Sequence, residues 1–249
     1  MSTHIPIDIA REIQSFLKGN DQLLSRLICK EFHNEPDVNL VYEYKNGKYP
    51  LPNWVTKVKV GREMKDRQIM FQTQLVYLDV CGTDISYYAL EFLDNLKYFR
   101  SNIRIGRLLL DMPNPTITHL CLTHTYLKFL TGMKGNHVVT HLVIDSQKML
   151  HSMEQLSVFK NLKSLTLGNK LNGAGNFDTF SLEYLDCIKT NTLTIDKIRK
   201  QPLKHLRFDN SCHKVGTLYM PTLEKLHLKV REFNLQVTGH PNLVITFEK

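Results

Sequence analysis

The sequence lacks long apolar runs, and none of its stretches approaches the length of a membrane-spanning helix. Its first ten residues lack the basic segment and apolar core of a secretory signal, so we do not expect one there. Cysteine is also scarce: the five residues are odd in number and widely scattered, which argues against a disulfide framework. Free thiols are typical of a reducing compartment. The sequence therefore predicts a cytoplasmic or nuclear protein, or one present in both.

Motifs of enzyme chemistry are missing as well. The sequence has no Gly-rich phosphate loop, no nucleophile elbow and no H-E-x-x-H zinc motif. His119 with Cys121, and Cys212 with His213, are isolated pairs and do not form two pairs at metal-ligand spacing. We therefore predict that the chain is not an enzyme and uses neither a cofactor nor a metal.

The composition is that of a globular protein. The chain has 249 residues, of which 42% are apolar and 22% are charged. This length suits one large domain, or a small domain followed by a medium one. The formal net charge of +8 allows an acidic partner but does not identify it.

A short pattern, apolar-x-x-apolar-x-apolar, returns from residue 55 onward. The middle residues of the later copies are separated by 22, 23, 20, 21, 20 and 19 positions. A near-constant step of about twenty residues is typical of a solenoid. The period-two alternation in each copy predicts a short strand, and stacked copies predict a parallel sheet with one face in the core. The predicted core ladder is Leu120, Leu142, Leu165, Leu185, Leu206 and Leu226, with earlier copies of the pattern centred on Val58 and Leu78 and a weaker last copy at Ile245 and Phe247.

The segments between the copies give further predictions. Apolar residues from Ile85 to Phe99 recur at helical spacing, which predicts a helix on the convex side. An additional strand is expected around Leu108. Short β-rich returns are predicted at 192–195 and 217–220, and a loop at 168–175.

The repeat resembles the leucine-rich repeat, although the Asn or Cys that the family places three residues after the last apolar position is absent. The resemblance implies an α/β fold in which residues 55–249 form a leucine-rich-repeat solenoid. It further implies a parallel β-sheet on the concave face and a protein target bound there.

Residues 5–32 predict two short amphipathic helices. Ile9, Ile13 and Leu17 lie on one helical stripe, and Leu24 and Ile28 lie on a second. Two such helices bury too little surface to fold alone. Their apolar faces therefore need a partner.

This stretch resembles an F-box, the module that docks a substrate receptor onto a Skp-type adaptor of a cullin–RING ubiquitin ligase. Ile5-Pro6 stands where the family has Leu-Pro, and the run at 28–32, ICKEF, resembles its Val-Cys-(Lys/Arg)-x-x-Phe signature with one residue fewer before the Phe. The resemblance implies an F-box-like helical hairpin at 1–35, followed by an ordered connector at 36–54. The alternative is an ordinary helical hairpin that caps the larger domain. The implied adaptor-binding residues are Ile5, Pro6, Ile9, Ile13, Leu17, Leu24, Ile28 and Phe32.

Two neighbouring strands carry a basic cluster on the side opposite the core. The alternation directs His205 and Arg207 of one strand, and Lys225, His227 and Lys229 of the next, away from the core. In a parallel stack these side chains lie next to each other. Two interpretations remain open: a solvated basic face, or a docking site for an acidic or phosphorylated segment of the target.

Other polar residues share that side of the predicted sheet. His119 and His141 occupy equivalent positions of adjacent repeats, where they are either solvated surface residues or a weak metal-binding pair. Asp79 and Asp186 also fall on outward positions, which predicts carboxylates on a solvated polar face.

Together these patterns predict the substrate-recognition subunit of an SCF-type ubiquitin ligase, with the chemistry done by other subunits. Its expected partners are the Skp-type adaptor, through it a cullin, and an unknown protein target, with no membrane partner. The alternative is a non-catalytic repeat scaffold without ligase association. Nucleic-acid binding is a third class, which is disfavoured because aromatic residues are not interleaved with basic ones on the strand face.

Overall fold

The chain forms a parallel β-solenoid in the part that the structure describes. The computed structural model describes residues 41–44, 51, 55–83, 85–102, 116–123, 138–145, 153–168, 177–187, 198–209, 216–229 and 235–248. Eleven strands make the main sheet, and two more make a small second sheet. The predicted hairpin at 1–35 lies outside the described residues.

The main sheet follows the chain from one repeat to the next. Its strands lie side by side in sequence order, and each pairs in parallel with the strand of the following repeat. This order is that of a solenoid, in which each repeat contacts only its neighbours. The strands of the main sheet are β1 (Tyr42–Tyr44), β2 (Lys57–Val60), β3 (Tyr77–Asp79), β4 (Tyr98–Ser101), β5 (His119–Thr123), β6 (His141–Asp145), β7 (Ser164–Leu167), β8 (Tyr184–Cys187), β9 (His205–Asp209), β11 (Lys225–Lys229) and β13 (Val244–Glu248).

The second sheet lies on the return side of the last repeats. It consists of β10 (Gly216–Tyr219) and β12 (Leu235–Thr238), which pair in parallel. The β-rich return predicted at 217–220 is therefore confirmed. The additional strand expected around Leu108, the return at 192–195 and most of the loop at 168–175 lie outside the described residues.

Helical segments are short in the described residues. They are one α-helix, α1 (Asp66–Ile69), and two 3-10 segments, Tyr87–Phe92 and Met153–Leu156. None of the helices described is long and apolar enough to cross a membrane.

The helix predicted from Ile85 to Phe99 is only partly present. The 3-10 segment Tyr87–Phe92 takes its first half, but Phe99 is a buried residue of β4. The pattern did not predict this strand because its copy of the repeat, Leu96-Phe99-Ser101, ends in a polar residue. Ser101 is nevertheless fully buried.

The core ladder is confirmed. Each middle residue of the repeat on β2 to β9 and on β11 is buried and lies in register with the equivalent residue of the next strand, so that Leu142 faces Leu120 on one side and Leu165 on the other. Burying one leucine contributes about 1.5–3 kcal/mol, so the ladder is a major source of stability. The buried ladder residues are Val58, Leu78, Phe99, Leu120, Leu142, Leu165, Leu185, Leu206 and Leu226.

The last strand differs from the others. Ile245 and Phe247 of β13 lie opposite Leu226 and Leu228 of β11, so the weak last copy is a strand as predicted. However, Phe247 is 53% exposed and Ile245 is 36% exposed. Within the described residues β13 is the edge of the sheet, and one side of its core positions is therefore left uncovered.

The sheet begins inside the stretch predicted as a connector. The segment Tyr42–Tyr44 forms β1 and pairs with β2, and Tyr44 is buried against the core. Tyr42 packs partly against the core as well, so both tyrosines of this strand are in contact with the solenoid.

Candidate binding face of the sheet

The side chains that alternate with the core ladder form one continuous surface, which we call the polar face. Two of its rows run across the sheet in register. We call the first the ring row, which consists of Tyr77, Tyr98, His119, His141, Ser164, Tyr184, His205 and Lys225. We call the second the charge row, which consists of Asp79, Arg100, Cys121, Val143, Thr166, Asp186, Arg207 and His227.

Neighbouring rings stack along the first half of the ring row. The centroids of Tyr98 and His119 are 4.1 Å apart, and those of His119 and His141 are 4.0 Å apart with an interplanar angle of 10°. Tyr77 continues the row at 6.4 Å from Tyr98. Such pairs contribute about 0.5–1.5 kcal/mol each beyond the area they bury. The stacked rings therefore link adjacent repeats on the outer side of the sheet.

The two histidines are held in place by the threonines that precede them. The Nδ1 atoms of His119 and His141 lie 2.9 Å from the hydroxyls of Thr118 and Thr140, respectively. Burial lowers the pKa of His119, with a smaller contribution from His141, and burial together with Lys163 lowers the pKa of His141. The neutral form of both rings therefore predominates at pH 7. No cluster of three or more His, Cys, Asp or Glu side chains suited to a metal occurs among the described residues.

The charge row contains a buried carboxylate that the sequence placed on a solvated face. Asp186 is only 7% exposed, and its Oδ2 atom accepts a hydrogen bond of 2.8 Å from Nη1 of Arg207 on the next strand. The expectation that Asp186 is solvated is therefore wrong. Ionised groups are rarely buried without an opposite charge, and the Arg207 guanidinium supplies that charge to the Asp186 carboxylate.

A second copy of this arrangement occurs in the first repeats. Asp79 is 3% exposed, its Oδ2 atom lies 3.6 Å from Nη1 of Arg100, and its Oδ1 atom accepts the backbone N–H of Cys81 at 2.9 Å. Here too the expected solvated carboxylate is wrong. In each copy a tyrosine, Tyr77 or Tyr184, lies two residues before the aspartate, and burial and then that carboxylate raise its pKa.

A signal for these pairs was present in the sequence. The tripeptide Tyr-Leu-Asp occurs at 77–79 and at 184–186, and in both places an arginine follows the aspartate by 21 residues. That distance is one repeat, so the arginine comes to lie beside the aspartate in the sheet.

The basic cluster is brought together as predicted. Lys225 lies in register with His205, and His227 lies in register with Arg207, on the paired strands β9 and β11. Arg207 has its guanidinium on Asp186, so its charge is largely offset. Lys225 and Lys229 are exposed, and they carry the outward positive charge of the cluster.

The ring row is interrupted at Ser164, where a cavity of about 510 Å³ opens. His141 and Tyr184 line it on either side of Ser164. We call this cavity the Ser164 notch.

Three ion-paired side chains form the rim of the Ser164 notch. Glu183 accepts Lys204 at 2.8 Å on one carboxylate oxygen and Lys163 at 3.3 Å on the other. Hydrogen bonds from Lys204 and then Lys163 lower the pKa of Glu183, so its carboxylate is ionised at neutral pH. The rim therefore carries two positive charges for one negative charge.

The cysteines that the structure describes are free thiols. Cys81 and Cys121 are partly exposed on the polar side, and Cys187 is buried. Burial raises the pKa of the Cys81 thiol to about 11 and also raises that of Cys121. Both thiols are therefore protonated and weakly nucleophilic near pH 7.

The predicted adaptor-binding residues cannot be placed on this fold. Ile5, Pro6, Ile9, Ile13, Leu17, Leu24, Ile28 and Phe32 all lie outside the described residues. The predicted target-binding residues are described and lie together on β9 and β11.

The fold and its face define the chain as a parallel β-solenoid with an ordered polar surface on the main sheet. No protein-family model matches the sequence, and neither a curated protein nor a solved structure matches the chain.

Proposed function

We propose that this chain is the substrate-recognition subunit of a cullin–RING ubiquitin ligase of the SCF type. Residues 5–32 bind a Skp-type adaptor and through it a cullin. The polar face of the solenoid binds the target protein. The chain itself does no chemistry, and it acts in the cytoplasm, the nucleus or both.

The observation that supports target capture is the continuity of the polar face. Eleven strands in one register align side chains of every repeat into rows, and such extended faces are the binding surfaces of solenoid proteins. Stacked rings and ion pairs hold many of these side chains in fixed positions. A surface that is ordered before binding loses less conformational freedom on binding, which favours affinity.

Support for adaptor binding comes from the sequence alone. The Ile-Pro start and the Ile-Cys-Lys run at 28–30 resemble the F-box pattern, in which Phe32 stands one residue early. The alternative function is a repeat scaffold without ligase association, in which the same polar face binds a partner and residues 5–32 only cap the solenoid.

Co-purification tests the proposal. The full-length chain, expressed with an affinity tag, should bring down a Skp-type adaptor and a cullin, quantified by mass spectrometry. Ile13→Asp places a charge in the predicted apolar contact, where an unpaired charge costs several kcal/mol, so both partners should be lost. Lys18→Asp, a charge change in the predicted turn, is the matched control and should keep them.

Circular dichroism of each variant shows whether the β-solenoid is retained. Undiminished recovery of the adaptor by Ile13→Asp, or by a chain without residues 1–33, would refute adaptor binding through residues 5–32. Absence of adaptor and cullin from the unchanged chain would refute ligase association and leave the scaffold.

A further inference from the structure

We infer that the Ser164 notch binds one aromatic side chain of a protein segment, and that an acidic residue of the same segment binds the lysines near it. This inference rests on the proposed function in one respect, namely that the ligand of the polar face is a protein. It adds a defined pocket and a defined ligand chemistry to that function.

The dimensions of the notch suit a flat ring. His141 on β6 and Tyr184 on β8 flank β7, and neighbouring strands are about 4.8 Å apart, so their backbones are about 10 Å apart. Stacked aromatic rings have centroids about 4.5–7 Å apart. One inserted ring can therefore contact His141 on one face and Tyr184 on the other.

The gap exists because Ser164 is small. The positions before it in the row carry rings that already cover one another, with centroids 4.0 and 4.1 Å apart. His119 covers one face of the His141 ring, and the cavity lies on the other side of His141. An aromatic side chain from a partner would continue the stack at the place where the chain itself supplies no ring.

The charges near the notch select an acidic neighbour. Lys163 and Lys204 share the single carboxylate of Glu183, which leaves a net positive rim that repels a cationic ligand. Lys225 is exposed and lies three strands from Ser164 in the ring row, about 14 Å away.

An extended peptide advances about 3.3 Å per residue, so about four residues span that distance. The favoured ligand is therefore a segment with an aromatic residue and, about four positions away, an aspartate or glutamate. A nucleic acid, which also combines flat rings with negative charge, is the competing ligand, and the test below distinguishes it from a peptide.

Selection from a random peptide library displayed on phage tests this inference. The full-length chain is the bait, and the peptides recovered are synthesised with a fluorescent label and titrated by anisotropy. We expect them to share an aromatic residue with an acidic residue about four positions away.

Two kinds of variant then locate the site. Ser164→Phe fills the notch with the chain's own ring and should weaken the selected peptides at least about tenfold. Lys163→Glu with Lys204→Glu reverses the rim charge and should do the same without filling the cavity. Lys160→Glu with Lys200→Glu changes two exposed lysines that do not line the notch, and should bind like the unchanged chain.

Several outcomes would overturn the inference. They are selected peptides without a shared aromatic residue, no enrichment at all, full affinity in a folded Ser164→Phe variant, or displacement of the peptides by a thymidine oligonucleotide that binds more tightly. The assay contains no adaptor. A negative result with the peptides therefore does not affect the proposal of adaptor binding. A negative result in the Ile13→Asp test likewise does not affect the inference about the Ser164 notch.

Discussion

Replacing Arg207 by Ala removes the guanidinium that covers the Asp186 carboxylate. The pair is short, at 2.8 Å, and the aspartate side chain is 10% exposed whereas that of the arginine is 42% exposed. Loss of one partner of a fully buried ion pair costs about 3–5 kcal/mol, and loss of a charged hydrogen bond costs about 1.5–3 kcal/mol. Since the space left by Arg207 admits water, we expect the lower range, about 2 kcal/mol of unfolding free energy.

Urea unfolding followed by far-UV circular dichroism measures this loss. Lys225→Ala on the adjacent strand is the matched control, and it should change stability by less than about 0.5 kcal/mol because its side chain is exposed. Arg100→Ala should cost about 1 kcal/mol, because its contact with Asp79 is longer, at 3.6 Å. Equal stability of the Arg207→Ala and Lys225→Ala variants would refute the view that Arg207 compensates a buried charge.

Two further predictions concern the core and the ring row. Leu165→Ala, in the middle of the buried ladder, should lower the unfolding free energy by about 2–5 kcal/mol, and a loss as small as that of Thr166→Ala would contradict the assigned alternation. Because burial lowers the pKa of His119 and of His141 in the folded state, the unfolded chain takes up protons first, so stability should be constant above about pH 6.5 and fall as the pH drops below it. Urea midpoints between pH 8 and pH 5 measure this, and a double His→Phe variant that shows the same fall would exclude these rings as its source.

The sheet could be predicted because its signal is local and repeated. Every strand from β5 to β11 carries its own alternation, and the nearly constant step fixes which residues become neighbours. The juxtaposition of Lys225 with His205 followed from those two facts alone. Strand β4 was not predicted because Ser101 occupies a position that is apolar in the other repeats. The sequence pattern is interrupted there, but the sheet is continuous.

The details of the polar face were not predictable from residue type. An aspartate after an apolar residue is typical of a solvated position, and only the arginine one repeat later shows that Asp186 is covered. The net positive charge of the basic cluster on β9 and β11 is correspondingly smaller than its residue types suggest, because Arg207 is ion-paired with Asp186. The Ser164 notch forms because one position of the ring row carries no ring. This is recognised only when the residues of several repeats are aligned in that row.

The interruption of the ring row also has a mechanical meaning. Bending the solenoid toward its polar face shortens the distances along that row. Between Tyr98 and His141 the rings are already in contact at 4.0–4.1 Å, and packed groups resist compression. Over Ser164 there is empty space instead, so the repeats around β7 form the compliant joint of the sheet. We therefore expect a ring held over Ser164 to act as a wedge that opposes bending of the sheet at β7.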